Sequence, residues 1–324
     1  WMLRKPSMVK VTQPVDSAHL PPKVRELLLA RKTARDKHDF ALSDQLRTQI
    51  AALGYLVNDQ GDDSAVLKLG DKDTKPAKNF LLLFGSGEIA KSSVDIYRRA
   101  FLAFNKRDLR ISLITTPAGF QPNVASVYGE IKEFLLTSLP DFNLTVDIVM
   151  ANTHQDASSP ALVSRLSGAD IILLGPGSPT YAAKHLKNTP LLDKIIELVK
   201  NGSTLILASA ATLAFSRYTL PVYEIYKVGE ELHWLDGLDV FTQLFAPLTI
   251  IPHYNNTEGG SGLDTSFCFM GQGRGTQLLS LLPPSTPIIG LDEHTALLID
   301  LVTHNQTIHG KGTIHDLTYS KNRI

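Results

Sequence analysis

Apolar positions along the chain follow two different periods. Early on the spacing is helical. In VRELLLARKTARDK, Val24, Leu27, Leu28 and Ala34 recur on one face, and in FALSDQLRTQIAAL, Phe40, Leu42, Leu46, Ile50 and Leu53 point towards a partner. Pro21-Pro22 suits the start of the first helix, Asp39 the N-cap of the second and Gly54 its C-terminal stop. YLV (55–57) and AVLKL (65–69), separated by NDQGDDS, predict a small β-hairpin. From Asn79 the period changes. NFLLLF (79–84), LRISLIT (109–115), LTVDIVM (144–150), DIILLG (170–175) and STLILA (203–208) are short, continuously apolar runs, and stretches such as ASVYGEIKEFLLTSL and PLLDKIIELVKNG lie between them with helical spacing. Strands apolar on both faces, alternating with helices, predict a doubly wound, mostly parallel sheet covered on both sides.

That pattern divides the chain into a 1–19 arm without period, a 20–69 helical hairpin plus β-hairpin, a polar 70–78 linker (GDKDTKPAK) and a 79–324 α/β domain. Composition narrows the classes. The chain has 324 residues, 43% hydrophobic and 20% charged, which predicts a well-cored globule. Lys+Arg and Asp+Glu are 32 each, so no overall field recruits nucleic acid or a membrane. The single cysteine, Cys268, excludes an internal disulfide framework and fits a reducing, cytoplasmic setting. No apolar run approaches the ~20 residues that span a bilayer. The opening WMLRKPSMVKVTQP lacks the apolar core of a secretory signal, and Trp1 before Met2 reads as a trimmed or engineered start or a fragment boundary.

In parallel sheets the working residues gather at the carboxyl ends of the strands. Here those ends read GSGE (85–88), TTP (115–117), GPGSP (175–179) and ASAA (208–211), small or glycine-rich as a ligand crevice requires, so Gly85, Gly87 and Glu88 are candidate substrate contacts. Gly85-x-Gly87-x-x-Ala90 could be a dinucleotide fingerprint or a tight turn. The acidic residue expected at the end of the next strand is absent, and no cofactor is expected. Ser209 could be a polar cap where strand passes to helix, or a nucleophile on a strained elbow, where neighbours must be tiny. The generic G-x-S-x-G fails, because Leu207 and Ala211 take the glycine places. A serine nucleophile needs a base and an orienting acid. Two later stretches qualify: TIIPHYNN (249–256), a strand ending in His253, and PIIGLDEHTALLI (287–299), with Asp292-Glu293-His294 between two apolar runs.

Taken in order, these motifs resemble the peptidase E and cyanophycinase family of serine hydrolases, which share the class I glutamine-amidotransferase-like fold. The resemblance covers residues 79–315. GSGE follows the first strand. GPGSPTYAAKHL resembles the strand end that helps form the oxyanion hole. LASAATLA sits at the Ser-Ala-Gly nucleophile turn, with Ala211 where the family usually has glycine. IPHYNN resembles the segment of the general base, and GLDEHTALLI the segment with the acid. The resemblance implies Ser209 as nucleophile, His253 as base, Glu293 as the orienting acid with Asp292 as fallback, and the N–H of Ala210 with that of Gly177 or Ser178 as oxyanion donors. It implies hydrolysis of a small peptide or isopeptide substrate. A catalytically degenerate fold acting as a binding module is the other reading.

Between nucleophile and base, Tyr223, Glu224, Tyr226 and Trp234 either wall a substrate pocket or belong to a β excursion over the sheet edge. Arg217 and Arg274 suit capture of a substrate carboxylate, or are simply solvated. Cys268, in FCFM, has apolar neighbours and reads as a helix or strand interior rather than a nucleophile. His304, His309 and His315 fall in a β tail with no metal-binding spacing, and no metal is expected.

Residues 21–69 resemble the helical element near the C-terminus of cysteinyl-tRNA synthetases, through Arg31, Ala34-Arg35, Lys37-x-Asp39-Phe40, Ser43-Asp44-x-x-Arg47 and Gly54. No amino-acid-activating signature accompanies them. The resemblance implies tRNA contact. Arg31, Lys32, Arg35, Lys37 and Arg47 form a local basic cluster, with Arg31, Arg35, Lys37 and Arg47 as the candidate contacts. Asp36, Asp39 and Asp44 dilute that field and favour the alternative, a helical hairpin docking on the hydrolase domain or on another protein. No membrane partner is expected, and the chain is expected as a monomer or homodimer.

Overall fold

The computed structural model describes residues 20–53, 55–60, 63–68 and 79–318, so the expected 1–19 arm, the 70–78 linker and the Gly54 stop lie outside the described residues. Two helices, Pro22–Asp36 and Phe40–Ala52, precede the antiparallel pair β1 (Tyr55–Gln60) and β2 (Asp63–Lys68). Asp39 caps the second helix by accepting the Leu42 N–H at 3.0 Å. Leu20, Val24, Leu27, Ala34, Leu46, Ile50, Val57 and Val66 form a small core of their own. The expected apolar face of the second helix is only half used. Leu46 and Ile50 are buried, whereas Phe40 and Leu42 are 61% and 43% exposed, because the short hairpin offers too little surface to cover them.

The larger part is a seven-stranded sheet of β3 (Phe80–Phe84), β4 (Asp108–Ile114), β5 (Asn143–Val149), β6 (Ile171–Leu174), β7 (Thr204–Ala208), β12 (Thr295–Asp300) and β13 (Gln306–Gly310), in the spatial order β13-β12-β3-β7-β6-β4-β5. The five strands from β3 to β5 run parallel, and β12 and β13 close one edge antiparallel. The continuous apolar runs have a physical reason in this arrangement. Leu81, Leu83, Leu205 and Leu207 pack on one face with the helices Pro179–Leu186, Pro190–Lys200 and Ala210–Phe215. Leu82, Phe84, Ile206 and Ala208 pack on the other with Val94–Leu102 and Val124–Ser138. Each fully buried aliphatic side chain of this kind stabilises by ~1.5–3 kcal/mol.

The short pair β8 (Tyr218–Thr219) and β9 (Leu235–Asp236) lies within the segment that follows the Ala210–Phe215 helix. A second sheet joins β10 (Thr249–Ile251), β11 (Ile288–Leu291) and β14 (Ile314–Asp316) in the order β10-β11-β14. Its core includes Leu213, Ile251, Phe267, Met270, Leu278 and Ile288. This small sheet carries two of the groups considered next. Among the described residues, no helix is long and apolar enough to cross a membrane.

Candidate active site

Ser209 follows the last residue of β7 and has φ 53° and ψ −114°, a sparsely populated conformation for any residue with a Cβ. Such backbone costs ~1–3 kcal/mol and persists only where the surroundings enforce it. Here Ala208, Ala210 and Ala211 are all buried, so their small side chains let the turn form against the packed core. The Ser209 N–H donates to the Phe84 carbonyl at 3.3 Å, which ties the turn to the neighbouring end of β3. Ala211 sits inside the right-handed Ala210–Phe215 helix, so its replacement of the family's glycine carries no left-handed penalty.

His253 lies just past β10, with φ 51°. Its N–H donates to the Gly85 carbonyl at 3.2 Å. Its Nε2 lies 2.8 Å from Ser209 Oγ and its Nδ1 lies 2.8 Å from Glu293 Oε1. Glu293 is fixed in turn by two side chains that sequence reasoning left unassigned. Asn256 donates from Nδ2 to the same Oε1 at 2.9 Å, and Asn255 Oδ1 accepts the Glu293 N–H at 2.7 Å. The hydrogen bond from His253 holds the Glu293 carboxyl below the usual carboxylate range, although partial burial opposes it. The available signal for these residues was the Asn255-Asn256 pair that follows the histidine after one tyrosine, two amides that can each donate and accept.

Asp292, the fallback acid, is engaged elsewhere. Its Oδ1 pairs with His315 Nε2 at 2.9 Å and its Oδ2 accepts the Thr313 N–H at 2.9 Å. Gly85 is a structural junction rather than an open ligand contact, since a Cβ there would lie 2.1 Å from the Asp292 carbonyl oxygen. The same turn continues through Ser86, whose Oγ accepts the His294 N–H at 3.3 Å, and Gly87, with φ 73°. Glu88 is buried, and desolvation pushes its carboxyl up, with His253 and His294 pulling against that rise.

The two expected oxyanion donors after β6 separate. The Ser178 N–H donates to the Pro117 carbonyl at 2.8 Å, and its Oγ caps the following helix by accepting the Tyr181 N–H, so Ser178 is corrected from oxyanion donor to structural cap. Gly177 has φ 146° and approaches the same Pro117 carbonyl so closely that a Cβ would lie 1.9 Å from its oxygen. Ala210 opens the helix after the serine, where the first N–H groups have no intrahelical partner.

Of the other expected contacts, Tyr223 is 38% exposed and Glu224 accepts from Thr180 Oγ1 at 3.1 Å. Glu224 begins a π-helical turn, Glu224–Val228, a geometry often found at functional sites. Arg217 is exposed, with its guanidinium 5.8 Å from the Tyr218 ring centroid. Arg274 directs Nε to the Met270 carbonyl and Nη2 to the Phe269 carbonyl. Burial pushes the Cys268 thiol up, which disfavours a thiolate. FCFM is neither helix nor strand interior but a turn. Among the described residues, no three His, Cys, Asp or Glu side chains gather as metal ligands. In the N-terminal hairpin, Arg31 is 2% exposed and packs along the helix beside the core positions, so it is corrected from phosphate contact to buried side chain. Arg47 is mostly covered beside Asp44, Arg35 is half-buried, and Lys37 is exposed.

A doubly wound sheet with a strained serine at one strand end, facing a histidine and a carboxylate, defines a class of hydrolase-like α/β proteins. Residues 81–306 match the family described as peptidase family S51, and the chain belongs to that family of serine peptidases. Residues 17–65 match the family described as cysteinyl-tRNA ligase anticodon binding domain. Among solved structures, the chain is similar to a peptidase from an acI-B1 Actinobacterium, with 22% identity over 74% of this chain and 91% of that one, and a TM-score of 0.58. It also matches a putative peptidase E protein from Listeria monocytogenes EGD-e, with 16% identity over 73% of this chain and 100% of that one, and a TM-score of 0.46. The first likeness is one of fold. No curated protein matches the chain.

Proposed function

We propose that this chain cleaves a peptide or isopeptide bond through an acyl-enzyme, with Ser209 as nucleophile, His253 as general base and Glu293 as the orienting carboxylate. The observation that carries the reading is the continuous line from Ser209 Oγ to His253 Nε2 and from His253 Nδ1 to Glu293 Oε1, 2.8 Å at each step. An ionised Glu293 only accepts, so Nδ1 carries the proton and Nε2 offers its lone pair to the serine.

Ser209 Oγ attacks the scissile carbonyl while its proton passes to Nε2. The imidazolium is stabilised by Glu293, and the oxyanion is met by the N–H groups of Ala210 and Gly177, donors worth ~3–4 kcal/mol each in the transition state. His253 then protonates the leaving amine as the C–N bond breaks. Water, deprotonated by the same nitrogen, hydrolyses the ester and regenerates Ser209. Tyr223 and Glu224 stand as substrate-side groups, and Arg217 is a cation open to a substrate carboxylate. The single buried thiol fits a reducing compartment, as in the cytoplasm.

Exposure to a fluorophosphonate probe, followed by intact mass and peptide mapping, tests the reading. One adduct on Ser209, absent in Ser209→Ala and His253→Ala, is the expected result. A folded wild-type chain that forms no adduct would remove the nucleophilic role proposed for Ser209.

The match of residues 17–65 favours a second, separate activity: a 20–69 module that contacts tRNA or a protein, with or without hydrolysis by the 79–324 domain. With Arg31 buried, Lys37 and Lys32 are exposed cations placed to meet phosphate. Salt-dependent tRNA retention by the full chain, weakened in Lys37→Glu, is the expected result. Retention indifferent to salt and to that change removes the tRNA reading.

A further inference from the structure

The loop after His253 contains a backbone conformation that the proposed chemistry does not itself require. Phe267, Cys268 and Phe269 have φ of 56°, 55° and 70°, three consecutive residues with side chains in the left-handed region. Non-glycine residues enter that region singly, and a run is uphill at every position. Such a run persists only when its surroundings over-determine it.

Two sets of contacts do so here. On one side the turn grips the segment of the base. The Cys268 N–H donates to the His253 carbonyl at 3.2 Å and the Phe267 N–H to the Tyr254 carbonyl at 2.8 Å. The Phe269 ring lies against the His253 imidazole, with centroids 5.8 Å apart, and the Phe267 ring packs on Tyr254 at 5.3 Å. On the other side, the carbonyls that follow converge on one guanidinium. Arg274 Nη2 donates to the Phe269 oxygen at 3.1 Å and Nε to the Met270 oxygen at 2.7 Å. Arg274 belongs to the helix Gly271–Leu281, whose start is tied to the same loop by the Gln272 N–H to Asp264 Oδ2 at 2.7 Å.

We infer that Arg274 is a positioning residue for His253: its guanidinium clamps the left-handed turn, and the turn holds the imidazole in line between Ser209 and Glu293. The inference rests on the Ser209–His253–Glu293 reading and extends it to a group that meets none of the reacting atoms. A planar guanidinium serves two acceptors in one fixed geometry, which a lysine ammonium on a flexible stem does not reproduce. Without the clamp the turn relaxes towards ordinary backbone, the Cys268 N–H leaves the His253 carbonyl and the Phe269 ring withdraws from the imidazole.

The test uses the full chain with Arg274→Ala, Arg274→Lys and Phe269→Leu. It measures the rate of fluorophosphonate labelling at Ser209, thermal melting, and the proton resonance of His253 Nδ1–H. Misplacement of a reacting group by an ångström costs up to ~100-fold, so folded Arg274→Ala is expected to label roughly 10- to 100-fold more slowly. Added guanidinium ion restores part of the rate, Arg274→Lys falls between, and Phe269→Leu slows labelling with a shifted Nδ1 resonance. Should Arg274→Ala not fold, Arg274→Lys and Phe269→Leu decide. Wild-type rates and an unmoved resonance in the folded variants overturn the inference while leaving the hydrolytic reading standing. A wild type that does not label, with an Nδ1 resonance that still moves on changing Arg274, sustains the clamp and removes the hydrolytic reading.

Discussion

Ser209 and His253 have nearly the same backbone φ, 53° and 51°, and both stand just past the end of a strand, yet they are held in opposite ways. Ser209 extends a fully buried central strand with parallel neighbours on both sides. His253 extends a three-residue strand in a small sheet, and loops supply most of its remaining contacts. The place of the proposed nucleophile is therefore a property of the main core. The place of the proposed base is a property of individual hydrogen bonds, so its loss is expected without unfolding.

Predictions that probe this contrast run from the largest effect downwards. Replacing Ser209 by alanine is expected to remove fluorophosphonate labelling outright, and hydrolysis of any peptide found as substrate should fall by roughly 10⁶-fold. Glu293→Gln keeps the shape but no longer favours the Nδ1–H tautomer, and a loss of ~10⁴-fold in turnover is expected with melting little changed. Leu207→Ala, beneath the nucleophile, should cost ~2–5 kcal/mol of stability, so labelling and melting temperature fall together. Asn256→Ala removes one donor from Glu293, and its labelling rate should drop about tenfold or more, in line with ~1.5–3 kcal/mol for a hydrogen bond to a charged group, while melting falls less than in Leu207→Ala. Were the Leu207 and Asn256 variants to lose rate and stability in the same proportion, the contrast between core-held and loop-held groups would be wrong.

The smallest expected effect concerns acid. Glu293 is held below its ordinary range in the folded chain, so its contribution to stability is full above the unfolded carboxyl value of about 4.3 and is lost as pH falls through the lower folded value. Melting curves taken from neutral to acid pH should fall more steeply for wild type than for Glu293→Gln. Equal slopes would show that the carboxylate gains nothing from His253 on folding.

The same contrast explains what was legible in the sequence. β3, β4, β5, β6 and β7 lie within a residue of the apolar runs at both ends. β3, β6 and β7 are buried along their whole length, which imposes continuous hydrophobicity, whereas the edge strand β5 is partly exposed and admits Asn143, Thr145 and Asp147. Ser209, His253 and Glu293 were legible because each follows a strand that has that signature. Ser178 was misread because strand-end position does not say whether an N–H is free, and a carbonyl from a distant loop, that of Pro117, takes it. Arg31 was misread because its residue type suggests solvent, whereas its spacing from Val24, Leu27 and Ala34 places it on the buried face. The turn at Phe267–Phe269 had no signal at all, since no glycine or asparagine marks its left-handed residues.

Asp292 and Glu293 are adjacent in sequence and serve different histidines. One holds His315 on β14, the other holds His253. A single dipeptide thus links the last described strand to the centre of the proposed chemistry. The β14 edge works as a tether rather than as trim: a protease that nicked the chain between β13 and β14 would slacken Asp292 first and Glu293 with it. Loss of labelling would then report damage near the C-terminus before the main sheet began to melt.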